Sequence, residues 1–343
     1  MKKVFKFIKL LLISKYDFDR KFKKKILIYD ESSSSFFDGV FKKDECFILN
    51  IREIVIYPII FFRSVLKYKF KWNLYNYFIE IIDEISPDFI FTQNDNDTFF
   101  WKLKFLLKKK PITIFIQNGF RSYSNDIFEY LDKNQFNKDD SFVDFFLVFS
   151  ESIKKKYKDY LNGKGIVIGS FKNNKTKILK NENQAKSILF ISEFASSRYF
   201  DLKSNSENYW YPENFFLPII YQYAKEKSLD LNILGKLNQN KELKNEEIDF
   251  FNNILGNSNW NYIESNQDYK CYEKIDESKF VVFISSTLGF ESITRGKPTA
   301  ALCSRNFKYK NKLSDDLCFA WPSKINKTGP FWTNKCEKVE TIK

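Results

Sequence analysis

Histidine is absent from this chain of 343 residues. That removes mechanisms built on an imidazole base, a Ser-His or Cys-His pair, or a His-ligated metal. Acid–base chemistry falls to carboxylates, Tyr, Lys and backbone dipoles. Cysteine is sparse: Cys46, Cys271, Cys303, Cys318 and Cys336 are widely spaced, odd in number and contain no C-x-x-C pair. This pattern argues against a disulfide framework and against a structural zinc site, and it fits a reducing cytoplasm. Nowhere do about 18 apolar residues run without interruption, so the sequence does not read as an integral membrane protein. Glycine occurs only 10 times, which makes the position of each one informative.

Aromatic residues are abundant, with 39 Phe, 19 Tyr and 6 Trp, and 43% of the chain is hydrophobic. A chain of this length and composition can bury a large core, and it favours two domains of ordinary size. Lys and Arg number 56 against 43 Asp and Glu, a net charge of +13. Lys, Asn, Ile, Phe and Tyr are all heavily used, as an AT-rich genome would produce, so much of that charge is compositional. The lysine runs 108–110 and 154–156 read as solvated helix faces. No zinc finger, RNP motif or helix-turn-helix pattern accompanies them, so no nucleic-acid partner is expected. Residues 1–24 are basic, with Phe5, Ile8, Leu11 and Leu12 on one side of a helix ringed by lysines. The segment lacks a signal-peptide cleavage site, is too short and charged to span a bilayer, and suits either packing on its own domain or the inner membrane surface.

Along the chain, apolar strand-like runs at 25–30, 46–51, 88–92, 112–117, 143–149 and 166–168 alternate with helical patterns at 57–68, 73–85 and 97–108. A polar stretch without apolar periodicity, 172–186, reads as a linker. A second series follows, with strands at 187–192, 230–234, 260–263, 280–285 and 298–302 and helices at 213–227, 242–255, 268–277 and 289–295. Continuous apolar strands separated by helices predict βαβ units and parallel sheets covered on both faces. The expected organisation is α/β, with Rossmann-like domains at 25–171 and 187–343. Gly119, Gly169, Gly235 and Gly289 fall near strand C-terminal ends, the edge where such sheets bind ligands. Two such domains with strand ends facing a shared cleft are the pattern of a two-domain transferase.

Three segments carry candidate chemistry. At 284–292, I-S-S-T-L-G-F-E-S places Ser285, Ser286 and Thr287 at a helix start, a ready phosphate site. Gly289 follows in that helix, and Glu291 is spaced to accept hydrogen bonds from vicinal ribose hydroxyls. At 92–97, T-Q-N-D-N-D sets Asp95 and Asp97 at a strand end; one Asp or Asn suffices to cap the next helix, and a carboxylate there is the natural base or nucleophile in a protein without histidine. At 117–121, Gln117, Asn118, Gly119 and Arg121 are suited to a hydroxylated or anionic substrate, although Asn-Gly is also turn-prone. Ser170, in G-S-F-K-N-N at the domain junction, is a weaker substrate-binding candidate.

These segments in this order, from K-I-L-I-Y-D at 25–30 through N-D-N-D at 94–97, I-Q-N-G-F-R at 116–121, G-S-F-K-N-N at 169–174 and S-S-T-L-G-F-E-S-I-T-R-G-K at 285–297 to G-P-F-W at 329–332, resemble a family of bacterial surface-carbohydrate (O-antigen) biosynthesis proteins. The resemblance implies a GT-B-like fold of two Rossmann-type domains around a central cleft. The serine-rich, Glu-containing helix start is similar to those of Kdo transferases, polysialyltransferases and CDP-glycerol glycerophosphotransferases. By that similarity Ser285, Ser286 and Thr287 take the donor phosphate, Glu291 takes the ribose, and Asp95 and Asp97 lie on the acceptor side. The implied activity is metal-independent transfer from a nucleotide-sugar, with a CMP-activated donor the lean, to a glycan or lipid-linked acceptor, without a further cofactor. The alternatives are a glycerophosphotransferase or sugar-nucleotide epimerase on the same fold, or a non-catalytic assembly protein. The chain departs from many of these relatives in lacking a histidine and in stopping at Lys343, where a GT-B fold usually continues into another helix.

Overall fold

The computed structural model describes residues 11–18, 22–34, 37, 39–121, 126–179, 186–194, 213–236, 241–256, 258–264, 270–284 and 286–302. Ser285, the G-P-F-W segment at 329–332 and residues 1–10 lie outside the described residues. The chain divides into two compact units, one of residues 1–118 and 131–171, the other of 119–130 and 172–343.

The strands of the first unit are β1 (Lys15–Tyr16), β2 (Ile26–Tyr29), β3 (Cys46–Leu49), β4 (Val55–Ile56), β5 (Phe89–Thr92), β6 (Ile112–Ile116), β7 (Phe142–Val148) and β8 (Asn162–Val167). Six of them form a parallel sheet in the order β3-β2-β5-β6-β7-β8, while β1 and β4 make a separate parallel pair. The helices are α1 (Pro58–Tyr68), α2 (Leu74–Ile85), α3 (Leu103–Leu106), α4 (Ile127–Lys133), α5 (Glu151–Lys158) and α6 (Phe171–Asn174); residues 127–130 of α4 and 172–174 of α6 belong with the second unit. Helix α2 shows how local sequence sets an element. Asn73 and Asn76 form a reciprocal capping box, and Tyr77, Phe78, Ile81, Ile82 and Ile85 bury one face at helical spacing.

The second unit contains β9 (Ser187–Ile191), α7 (Glu213–Glu226), β10 (Asp230–Gly235), α8 (Lys241–Leu255), β11 (Trp260–Glu264), α9 (Lys270–Glu277), β12 (Phe280–Phe283), α10 (Thr287–Thr294) and β13 (Thr299–Ala301). Its sheet is parallel throughout, in the order β11-β10-β9-β12-β13. The strands are nearly continuous apolar runs because helices cover both faces. Leu189, Phe190, Ile233, Val281 and Phe283 form one buried cluster with Phe216, Phe251 and Ile275.

Each sheet therefore has one place where strand order reverses: between β2 and β5 in the first, between β9 and β12 in the second. Ligands of open α/β sheets bind beyond the strand C-termini at such a reversal. Both parallel sheets follow the expected α/β class.

Two elements differ from the sequence expectation. The helix expected over 97–108 is instead a 3-10 turn, Phe100–Lys102, leading into the short α3. Phe100 and Leu103 are both fully buried, and their three-residue spacing is met by a 3-10 turn as well as by an α-helix. Strand β8 begins at Asn162, four residues before the expected run, within N-G-K-G. Gly163 sits at φ 131 beside a register irregularity at Phe142/Phe145, and a Cβ there would meet the Val143 carbonyl at 1.7 Å. The strand is thus one that only glycine permits, and glycine hid it.

Candidate functional site

In the first unit, the loops leaving β2 and β5 are tied together across the strand-order reversal. Asp30 follows β2 with φ 84, is buried, and accepts hydrogen bonds from Ser32 Oγ at 2.7 Å and Asn94 Nδ2 at 2.6 Å. The exposed Arg52, just past β3, pairs with it at 3.0 Å. Tyr29, the last residue of β2, donates its hydroxyl to Asp97 Oδ2 at 2.9 Å. Asp97 Oδ1 accepts from the Phe99 and Phe100 amides, so the side chain caps the 3-10 turn. Burial pushes the Asp97 carboxyl above the ordinary value of 3.8, against the opposing pull of the Tyr29, Phe99 and Phe100 hydrogen bonds. Burial also drives the Tyr29 phenol well up, with the Asp97 charge adding to it. The sheet edge thus presents a half-buried carboxylate with enhanced basicity.

Asp95 lies deeper. It is fully buried, with Tyr157 Oη donating at 2.6 Å and the Asn118 amide at 3.3 Å. Tyr157 stands edge-on to Trp101 and packs against Phe115 and Phe146, so Asp95 anchors its loop to the aromatic core. Gln117 is buried too: its amide donates to Leu147 O, and its side-chain oxygen accepts from the Phe149 amide at 2.8 Å. Asn118 is exposed, and Ser170 is half-buried just past β8.

In the second unit, helix α10 opens beyond β12 at the strand-order reversal. Ser286 occupies the N-cap position without a side-chain capping bond. Thr287 Oγ1 accepts from the Phe120 amide at 3.0 Å, and Phe120 stacks on Phe290 with centroids 4.3 Å apart. A Cβ on Gly119 would lie 3.1 Å from that same Thr287 oxygen. Gly119 and Thr287, from separate candidate segments, therefore meet at the start of one helix. Arg121 pairs with Asp126 at 3.3 Å, both largely buried.

One turn along α10, Glu291 is buried and accepts the Tyr272 hydroxyl at 2.7 Å. Burial lowers the Lys172 ammonium below its usual range, partly offset by the Glu291 charge. Cys271 is pushed up to about 11 by burial and by the same carboxylate. Arg295 closes the cluster from behind. It forms a two-pronged pair with Asp276, Nε to Oδ1 at 2.8 Å, and its Nη atoms reach Asn173 Oδ1 at 2.7 Å and the Lys177 carbonyl at 2.9 Å. The guanidinium also lies over the Tyr272 ring. Residues 172–179, the described part of the linker expected over 172–186, are held here by Asp276 of α9 and by Arg295 just past α10. Near the other strand ends, buried Glu247 accepts from Ser192 Oγ, the Lys236 amide and Tyr262 Oη, which steadies the loops after β9 and β10.

A family model described as "putative O-antigen biosynthesis protein" matches residues 114–343, more than half of the chain. The chain belongs to this family of O-antigen biosynthesis proteins. A search of curated proteins finds no match. Among solved structures it is similar to S. aureus MnaA in a co-structure with UDP, at 14% identity and a TM-score of 0.47, covering 82% of this chain and 80% of that one. It is also similar to the Neisseria meningitidis UDP-GlcNAc 2-epimerase bound to UDP-GlcNAc, at 14% identity and TM-score 0.42, over 81% and 82% of the two chains. The wall teichoic acid polymerase TagF shows 10% identity and TM-score 0.44, over 84% and 73%.

Within this family member, several site residues escaped the sequence reading. Asp30 is a strand-end carboxylate of the same kind as Asp95, and the run Y-D-E-S-S-S-S after an apolar strand was the available signal. Lys172 lies in the G-S-F-K-N-N segment, where Ser170 rather than Lys172 was the candidate; Tyr272 and Cys271 carried no signal, since only the fold brings them to Glu291. Gly289 has a packing explanation: a Cβ there would lie 2.1 Å from the Phe283 ring, which is fully buried in the sheet core. Gly289→Ala is therefore expected to destabilise the protein by about 1–3 kcal/mol, read as a lower urea midpoint. An unchanged midpoint would contradict this close packing.

Proposed function

We propose that the chain is a glycosyltransferase of surface-polysaccharide (O-antigen) biosynthesis, moving a sugar from a nucleotide-activated donor to a glycan or lipid-linked acceptor. The observation that carries the reading is helix α10. It starts at the second sheet's strand-order reversal with Ser286 and Thr287 and sets a buried Glu291 one turn further on, its carboxylate oriented by Tyr272. A helix N-terminus favours phosphate through its amides and dipole. The Thr287 hydroxyl accepts from Phe120 and retains its own proton to donate. Ser285 stands next to them in sequence, and Gly119 leaves the room that a side chain would fill. Glu291 then accepts from the ribose hydroxyls, and Lys172 offsets anionic charge.

In the reaction, the bond between the anomeric carbon and the donor phosphate oxygen breaks, and the nucleotide leaves with the electron pair. The acceptor oxygen bonds the anomeric carbon, and its proton passes to a carboxylate. Asp97 is the base in this account because it is accessible and its basicity is raised; the fully buried Asp95 positions the loop that carries it. Fixed dipoles and hydroxyls stabilise the departing phosphate without a metal. Gln117, Asn118, Arg121 and Ser170 shape the substrate side, Gln117 and Arg121 through the contacts they make within their own units.

Thermal unfolding with CMP-, CDP-, UDP- and GDP-forms tests the donor assignment. One nucleotide class is expected to stabilise the chain, by about 2.7 kcal/mol at a hundredfold excess over its Kd. Glu291→Ala is expected to weaken that nucleotide by about tenfold, the loss of a charge-assisted hydrogen bond. A folded protein stabilised by none of the four would overturn the reading. Conversion of the donor sugar itself without any acceptor would favour an epimerase instead.

A further inference from the structure

Helix α1 is apolar on both sides. Ile60, Phe61 and Ser64 face the unit's interior and are buried. On the opposite side Ile59, Phe62 and Leu66 are 81%, 65% and 74% exposed, and Phe70, in the 3-10 turn that follows, is fully exposed. Ile59, Phe62 and Leu66, three and four residues apart, form one stripe along the helix. A helix that is hydrophobic all round is normally enclosed by protein or lipid, and contiguous apolar surface of this kind marks an interaction face.

Within residues 58–72 the charge has one sign. Residues 58–72 contain Arg63, Lys67, Lys69 and Lys71 and no acid. Arg63 and Lys67 are answered by Glu80 and Glu84 of α2. Lys69 and Lys71 are exposed and have no acidic partner among the described residues. The N-terminal segment reaches the same end of the unit. Strand β1 pairs with β4, whose chain enters α1 at Pro58, and beside β1 the side chains of Leu12, Ile13 and Phe18 are exposed.

We propose that this face, α1 with residues 69–71 and 12–18, docks the protein on an anionic lipid bilayer, with Ile59, Phe62, Leu66 and Phe70 entering the headgroup–acyl boundary and Lys69 and Lys71 meeting acidic headgroups. An exposed apolar stripe with unpaired cations beside it matches the requirements of interfacial binding. A second copy of the chain is a poorer occupant, because an isologous contact would bring the same unpaired lysines, Lys69 and Lys71, into the interface from both sides. The inference is independent of the reaction assigned above.

The test is flotation of the full chain with vesicles of equimolar phosphatidylcholine and phosphatidylglycerol and with vesicles of phosphatidylcholine alone. The protein is expected to float with the anionic vesicles and much less with the neutral ones. Phe62→Ser combined with Leu66→Ser, and separately Lys69→Glu with Lys71→Glu, should each weaken binding by about tenfold or more. All four positions are exposed, so unchanged thermal melts are expected for both variants. The proposal is overturned if the native chain does not float with anionic vesicles, or if both variants float as well as it does, which would assign the binding to the lysines of residues 1–10. It is equally overturned if the native chain is a dimer that Phe62→Ser/Leu66→Ser dissociates without any effect on vesicles.

Discussion

Asp97→Asn is expected to lower the rate of sugar transfer by about 10²–10⁴-fold, the usual contribution of a general base, while the fold and nucleotide-induced stabilisation stay intact. The substitution is structurally mild. Asparagine caps a helical turn about as well as aspartate, and its side-chain oxygen still accepts from the Phe99 and Phe100 amides that Asp97 now holds. What it removes is the proton acceptor. Because burial raises the Asp97 carboxyl above 3.8, activity is expected to be absent while that group is protonated and to rise as pH climbs through its elevated value. The variant lacks this acidic limb. Asp95→Asn behaves differently: it disturbs the Tyr157 and Asn118 bonds of a fully buried group, so its loss appears in stability. Full turnover by Asp97→Asn would move the base elsewhere, with Asp30 the next carboxylate at that sheet edge.

Arg295→Ala carries the largest expected effect on stability, about 3–5 kcal/mol, because it strands the buried Asp276 carboxylate without its counter-charge. Both side chains are fully buried. Asp276 also accepts the Leu179 amide at 2.8 Å, while Arg295 holds Asn173 and the Lys177 carbonyl. The loss therefore also releases residues 173–179, and with them the placement of Lys172. A lowered urea midpoint together with weakened nucleotide stabilisation is the expected pair of results. Replacing both partners by apolar residues of similar volume should recover much of the stability, since no orphaned charge remains; the nucleotide effect should stay impaired. A single variant within about 0.5 kcal/mol of the native chain would show that the pair is not the clamp described here.

What the sequence made legible follows from what it encodes locally. The strands from β2 to β13 announce themselves as apolar runs between helical periods, apart from the two-residue β4 and the glycine-rich start of β8. Likewise β1 and β4 are too short for any periodicity to register. The 3-10 turn at Phe100–Lys102 escaped because a string of buried residues satisfies a helical pattern equally well. At the site, Ser286, Thr287 and Glu291 were readable because one helix carries them at fixed spacing. The pairings Tyr29–Asp97, Asp30–Asn94, Tyr272–Glu291 and Asp276–Arg295 join residues far apart in sequence, or lie in segments with no period. They depend on strand order, which no single stretch of sequence states. The same limit applies to α1: its spacing reads as a helix, and only the fold shows that one apolar side is left outside.

A structure determined with the stabilising nucleotide bound tests whether the second unit holds the donor at the start of α10. The phosphates are expected against Ser286, Thr287 and the first amides of α10, with the ribose hydroxyls on Glu291. A nucleotide bound instead beyond β2 and β5, beside Asp30 and Asn94, would contradict it.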